Sequence, residues 1–203
     1  MNSIMTGYFL PNLQEYQAMR AQLIDALTDG DLGYTPGGAN PTLGVLCREI
    51  GEVERAYIDS FKTLTLDFSY RNSTPGLEKS VAQLAAWYAE LDAELQATVE
   101  GLSEGDIAGR VVDRGGGHVL PPLTQLQIYQ EALLLFYGKA VVYLKGMGKP
   151  LPSRCRIGLA ERVTSILVIL SSCRVAPALA RRSPVQAAAR AYTGGLPRRT
   201  LRS

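Results

Sequence analysis

Apolar residues recur every three or four positions in four stretches of the chain, which is the spacing of one face of an α-helix. In the clearest stretch these residues are Leu43, Leu46, Ile50, Val53, Tyr57 and Phe61. It follows Asn40-Pro41, which predicts an N-cap at Asn40 with proline in the first turn. The other helices are predicted over residues 12–30, 77–99 and 122 to 146 or 148. Four such helices predict an all-α four-helix bundle.

Three details of the pattern carry further expectations. Arg20 interrupts the apolar stripe of the first helix. Glu90, Asp92 and Glu94 lie off the stripe of the third, where we expect them to be solvated. The run Leu133–Leu135 makes the fourth helix apolar on most of its circumference. Such a helix is either central or covered by another subunit, so we expect a homodimer. Between the third and fourth helices, a β-branched pair and Gly115–Gly117 favour a small hairpin.

Charge divides the chain into two parts. The whole chain has 21 Lys+Arg and 19 Asp+Glu, a formal charge of +2. Residues 153–203 have ten arginines, no lysine and one acid, a charge of +9, whereas residues 1–152 have a charge of −7. This break predicts a folded bundle over residues 1–152, followed by an Arg/Ala/Pro-rich tail over residues 153–203. We expect the tail to be disordered, apart from a short helix around residues 161–170.

The basic tail has two further interpretations. Arginines neutralise phosphates, which makes nucleic-acid binding an alternative function. However, Tyr192 is the one aromatic residue there for stacking on bases, and the arginines follow no helical face. The tail contains no Lys, Asp, Asn or Phe, a composition that a shifted reading frame of GC-rich DNA tends to encode. We therefore also hypothesise that residues 153–203 come from a frameshift in the gene.

The sequence shows no clear pattern of a secretory signal, a membrane span or a disulfide framework. Met1–Leu10 lacks the basic and apolar pattern of a secretory signal, and no apolar run approaches the roughly 20 residues of a membrane span. The three cysteines, Cys47, Cys155 and Cys173, form no Cys-x-x-Cys motif. We expect a cytoplasmic protein with no membrane association and no disulfide framework.

Two segments resemble a known family. Residues 42–52, Thr-Leu-Gly-Val-Leu-Cys-Arg-Glu-Ile-Gly-Glu, are similar to the second-helix motif of the DinB-like (YfiT-like) proteins. Residues 130–150, which end in Gly-Lys-Pro, are similar to their fourth-helix motif. The resemblance spans about residues 8–152 and implies a four-helix bundle that is often dimeric.

The resemblance also implies a metal site that this chain does not complete. Many members bind a divalent metal through three histidines, one on the second helix and two spaced four residues apart on the fourth. The matching positions are Glu49, Ala132 and Phe136, and the single histidine, His118, lies elsewhere. Alanine and phenylalanine offer no lone pair to a metal. We therefore expect no metal, no cofactor and no catalytic residues, and a candidate pocket formed by Glu49, Ala132, Phe136, Tyr129 and Glu52.

Several alternatives remain open for these residues. Glu49 is either a pocket carboxylate or a flanking carboxylate paired with Arg48, with Arg55 or with a residue of a neighbouring helix. Tyr129, Phe136 and Tyr137 either line a pocket for an apolar or aromatic ligand or pack in the core and the dimer interface. Cys47 is either a buried structural cysteine or a thiol whose pKa is lowered by Arg48.

The expected function is a non-catalytic or small-ligand-binding dimer of the stress-response type, with the metal site degenerate. A first alternative is a metal-independent, thiol-dependent transferase that uses Glu49 or a bound thiol cofactor. The weaker alternative is binding of nucleic acid through the tail.

Overall fold

The structure is a computed structural model and describes residues 5–154. Helices make up most of this part of the chain. In chain order the elements are a π-helical turn Met5–Phe9, α1 Leu10–Asp25, a 3₁₀ turn Asp29–Gly33, α2 Leu43–Thr63, a 3₁₀ turn Leu77–Lys79, α3 Val81–Glu100, α4 Glu104–Gly109, β1 Val112–Asp113, β2 Val119–Leu120 and α5 Pro122–Gly146. The four predicted helices are confirmed, and α4 is a short additional one. Among these residues, no helix combines the length and apolarity needed to cross a membrane.

The chain divides into two units, Met1–Ala160 and Glu161–Ser203. The expected disorder of the tail and its short helix at residues 161–170 lie outside the described residues. Within the described part, the backbone N–H of Arg154 donates to the side-chain oxygen of Gln22 over 3.2 Å, and the Arg154 guanidinium pairs with Glu15. The first residues after the bundle therefore contact α1.

The helix ends differ from the predicted ones for local reasons. Thr42, not Asn40, caps α2, because its hydroxyl accepts the backbone N–H of Val45 over 3.4 Å. The Asn40 side chain instead donates to the carbonyl of Gly37 over 2.8 Å and closes the preceding loop. The first helix ends at Asp25 rather than near Gly30. Asn40 and Thr42 both have side chains that can cap a helix, so the sequence alone leaves open which of them caps α2.

Helix α2 is central to the bundle and packs against both α3 and α5. Of its apolar stripe, only Val53 is not fully buried. Gly51 permits the close approach of α3, because a Cβ at that position would lie 2.4 Å from the ring of Trp87. Gly44 similarly faces the carbonyl of Glu78, 1.8 Å from a Cβ built there. Glycine at these two positions therefore sets the distance between α2 and the chain that leads into α3.

The predicted hairpin is confirmed between α4 and α5. Val112 pairs with Leu120, and Asp113 pairs with Val119, in antiparallel register. The turn is made by Gly115–Gly117, all with positive φ, which residues with a side chain adopt at a cost. A buried hydrogen bond of 2.9 Å from Gln125 to Ser60 joins the start of α5 to α2 beside this hairpin.

Arg20 is not an interruption of the first helix but the centre of a buried cluster. Its side chain is 1% exposed and donates to Glu54 and to Asp92, each over 2.5 Å. The guanidinium carbon lies 4.0 Å from the centroid of the Tyr88 ring. The expectation that Asp92 and Glu94 are solvated is wrong in part, since both are partly buried and ion-paired. The cluster joins α1, α2 and α3.

Candidate functional site

Three of the five predicted site residues line one open groove between α2 and α5. Glu49 comes from α2, and Ala132 and Phe136 come from α5. The groove has a volume of about 210 Å³, and its other lining residues are Leu46, Ile50, Val53, Leu135 and Lys139. On each helix these residues occupy positions i, i+3, i+4 and i+7, which places them on one face of α2 and one face of α5. The groove is the space left between those two faces.

Glu49 is exposed at the edge of this groove and is not ion-paired with a described residue. Arg48 is paired with Glu52 and, over 2.6 Å, with Glu78. Arg55 is paired with Asp59 and Glu94. The alternative in which Glu49 is paired with either arginine is therefore wrong.

Glu52 lies beside the groove rather than in it. It is 6% exposed and accepts the backbone N–H of Asn72 over 3.0 Å, which fixes the loop between α2 and α3. It lines a second pocket of about 310 Å³ together with Arg48, Glu49, Val53, Phe68 and Arg71. Glu49 and Val53 line both spaces, so the pocket and the groove are neighbours.

Tyr129 is a core residue and does not line the groove. It is 0% exposed, and its ring centroid lies 5.1 Å from that of Tyr57. Its hydroxyl is buried without a hydrogen-bond partner among the described residues. Burial, and next the charge of Glu54, raise the pKa of Tyr129 well above its ordinary value. Phe136 combines both alternatives, since it is 3% exposed and forms part of the groove wall.

The groove residues do not fit the divalent metal that the family resemblance implies. Glu49 supplies one carboxylate, while Ala132 and Phe136 supply no donor atom, and a protein zinc site normally has three or four ligands. Over residues 5–154 no group of three or more His, Cys, Asp or Glu side chains is arranged to hold an ion. No reaction step can therefore be assigned to a metal at these positions.

The other residues with reactive side chains are poorly placed for chemistry. Cys47 is fully buried, and burial raises the pKa of its thiol to about 12. The alternative in which Arg48 activates this cysteine is therefore wrong, because the nucleophile is the thiolate. His118 is exposed in the turn of the hairpin, as expected for a solvated loop histidine.

The helical bundle and its groove define the class of the protein, and comparison with known proteins supplies the family. The family model of the DinB superfamily matches residues 12–133, so the chain belongs to this superfamily. A crystal structure of a DinB-like protein, YjoA from Bacillus subtilis, covers 72% of this chain and 96% of that chain, with a TM-score of 0.59 and 16% identity. At this identity the likeness establishes the fold alone. No curated protein matches the chain.

Sequence reasoning missed the Arg20 cluster, although a signal was present. Arg20 is four residues from Tyr16, and Glu54 is four residues from both Ile50 and Ile58, so both occupy positions on core faces. A charged residue at such a position must find a partner of opposite charge. The need of Arg20 and Glu54 for a partner of opposite charge could therefore have been inferred from their spacing, although the identity of each partner could not.

The cluster gives Asp92 an unusual pKa. Burial is the largest cause and raises the pKa, Arg20 lowers it, and the neighbouring Glu54 raises it again, to about 7. Two carboxyl groups thus compete for one guanidinium, with the Asp92 side chain 28% exposed. Around neutral pH, Asp92 exchanges a proton with solvent while Arg20 stays charged.

The raised pKa of Asp92 predicts a loss of stability as the pH rises. The folded protein binds this proton more tightly than the unfolded chain, whose ordinary value is 3.8. The proton on Asp92 therefore stabilises the folded protein fully below pH 3.8, and this contribution is lost as the pH rises through about 7. The Asp92→Asn variant should therefore remove a decline on the order of 1–3 kcal/mol in the free energy of unfolding between about pH 5 and about pH 8. Urea unfolding over this range measures it.

Glu94 on the same helix is the matched control for this prediction. Its hydrogen bonds to Arg55 and Lys62 lower its pKa to about 2. Its stabilising contribution is present above its ordinary pKa and is lost only in strong acid. Glu94→Gln should therefore retain the wild-type decline with pH. An Asp92→Asn variant that shows the same decline as the wild type would contradict the assignment.

Restoring three imidazoles to the groove should create a metal site. We expect the triple variant Glu49→His, Ala132→His, Phe136→His to retain about one Zn²⁺ per chain after dialysis, because two histidines four apart and one on the facing helix can bind one ion. The wild type should retain far less. Elemental analysis measures both, with circular dichroism to check folding. About one bound metal ion per chain in the wild-type protein would contradict the conclusion that its groove residues do not fit a metal.

Proposed function

We propose that the bundle over residues 1–152 is a non-catalytic DinB-superfamily protein of the stress-response type that binds a small ligand without a resident metal. The observation that carries this proposal is the groove between α2 and α5. Its position coincides with Glu49, Ala132 and Phe136, which the resemblance assigns to the family's metal site. The groove is therefore present at the positions where this chain lacks the three histidine ligands.

The size and lining of the groove favour a ligand with an apolar ring or short chain. Leu46, Ile50, Val53 and Phe136 supply apolar surface from two rigid helices. A volume of about 210 Å³ exceeds the roughly 150 Å³ of an apolar cavity that holds benzene. Sites of this kind are commonly apolar with a few polar groups that orient the ligand.

The chemistry of the groove favours binding over catalysis. Its lining contains one carboxylate, Glu49, and one amine, Lys139, and no hydroxyl or thiol. Cys47 on the same helix is buried as the neutral thiol. A metal-independent transferase would therefore need its thiol from a bound cofactor, and no observation favours that alternative.

Filling the groove should abolish ligand binding. Ala132→Trp places an indole in the space, so titration with 2-phenylethanol should no longer shift the backbone amide signals of α2 and α5 that it shifts in the wild type. Ala86→Trp is the matched control, since Ala86 is exposed on α3 and does not line the groove. Nuclear magnetic resonance of the labelled protein gives both results. Equal binding to Ala132→Trp would contradict the proposal.

We also propose that the protein is a homodimer that pairs through α5. Leu135 and Val142 are 69% and 57% exposed, two turns apart on this helix. Gly138 lies between them and is exposed with open space around it, so a partner helix could approach closely. Exposed apolar surface of this kind marks interaction sites. Because Leu135 also lines the groove, a partner would border the ligand.

The dimer is tested by introducing charge on that face. Leu135→Glu combined with Val142→Glu should convert a dimer into a monomer at micromolar concentration, because two buried carboxylates would be unpaired at the interface. Sedimentation equilibrium measures the mass. Val111→Glu combined with Val119→Glu, at exposed positions near the hairpin, is the control and should remain dimeric. A monomeric wild type would refute dimerisation.

A further inference from the structure

We infer that the groove selects a zwitterionic ligand, in which an ammonium group and a carboxylate are attached to an apolar ring or chain. This inference rests on the proposed ligand-binding function. Glu49 stands on the α2 side of the groove and Lys139 on the α5 side, with the apolar lining shared between the same two helices. The groove therefore presents one charge of each sign across an apolar surface.

Both charges are free to bind a ligand. Neither Glu49 nor Lys139 forms a hydrogen bond or ion pair with any residue in the described range, and they are not paired with each other. Lys62 and Lys149, by contrast, are both ion-paired. A ligand with both charges would give each of the two groove residues a partner.

The neighbouring arginines, Arg48 and Arg71, line the adjoining pocket and not the groove itself. Arg48 is held by Glu52 and Glu78. Arg71 donates to the backbone carbonyls of Phe68 and Tyr70, each over 2.6 Å. Lys139 is thus the cation of the groove lining, and it has no ion pair among the described residues. We assign the carboxylate of the ligand to Lys139.

The size of the groove sets the apolar part of the ligand. About 210 Å³ accommodates a ring with a short substituent, given that roughly 150 Å³ suffices for benzene. An α-amino acid with an aromatic or long aliphatic side chain has this size and both charges. Exposed ion pairs contribute little individually, so each charge should change affinity by about two- to fivefold, and added salt should reduce the effect.

The experiment compares four probes of similar size on the full chain. L-phenylalanine carries both charges, 3-phenylpropionate only the carboxylate, phenethylamine only the ammonium, and 2-phenylethanol neither. Dissociation constants come from the amide shifts of α2 and α5. We expect L-phenylalanine to bind tightest, the two singly charged probes to be intermediate, and 2-phenylethanol to bind weakest.

Single substitutions then assign each charge to one residue. Glu49→Gln should weaken L-phenylalanine and phenethylamine by about two- to fivefold and leave the other two probes unchanged. Lys139→Met should weaken L-phenylalanine and 3-phenylpropionate by a similar factor and leave the others unchanged. Glu90→Gln, at an exposed position of α3 outside the groove, is the control and should change none of the four constants.

The possible failures are distinguishable. Equal binding of 2-phenylethanol and L-phenylalanine in the wild type and in both variants would overturn the zwitterion inference, while the proposed binding of apolar ligands would stand. Tight binding of one singly charged probe with no gain from the second charge would also overturn it. If no probe shifts the groove residues, both the inference and the proposed function fall.

Discussion

The fold depends on the burial of one guanidinium group. Arg20 is 1% exposed, and an unpaired charge in that environment would cost several kcal/mol. Glu54 and Asp92 pair with this charge, and their contacts fix α1, α2 and α3 relative to one another. Tyr88 covers the guanidinium and donates to the carbonyl of Cys47 over 2.5 Å, which ties α3 to α2 a second time. A buried pair of this kind often adds little net stability, but removal of one partner leaves a buried charge and is strongly destabilising.

This constraint determines where a ligand site can lie. The face of α2 that bears Glu54 packs in the Arg20 cluster, and Gly51 packs against Trp87. Glu49 and Val53 remain for the face toward α5, where the two helices do not close completely. The groove therefore has a rigid wall on one side, because α2 cannot rotate without breaking the pairs of Arg20. Rigid walls are what a selective site needs.

A β-branched pair with Gly115–Gly117 predicted the hairpin, and hydrophobic spacing predicted the helices, because those patterns are local. Hydrophobic spacing could not predict the cluster around Arg20, since a binary pattern treats every charged residue as solvated, and the pairing of Arg20 with Glu54 and Asp92 depends on tertiary contacts. The site positions came from the resemblance to a family, not from spacing. Tyr129 was included as a neighbour of the motif positions, yet it is buried and packs against Tyr57. Lys139 was missed because a single exposed lysine gives no signal in one sequence.

The residues at the three motif positions change what the groove can recognise. Three imidazoles would hold a cation of fixed geometry, and the ligand would be selected through the metal. Glu49, Ala132 and Phe136 offer instead one carboxylate, an opening left by a small side chain, and an aromatic wall. If the groove binds a ligand as proposed, selection comes from its volume and from its two charged residues, and each charge contributes only a modest factor in water. A groove of this composition suits reversible binding of a small amphipathic molecule, since nothing in its lining holds a reacting group in place.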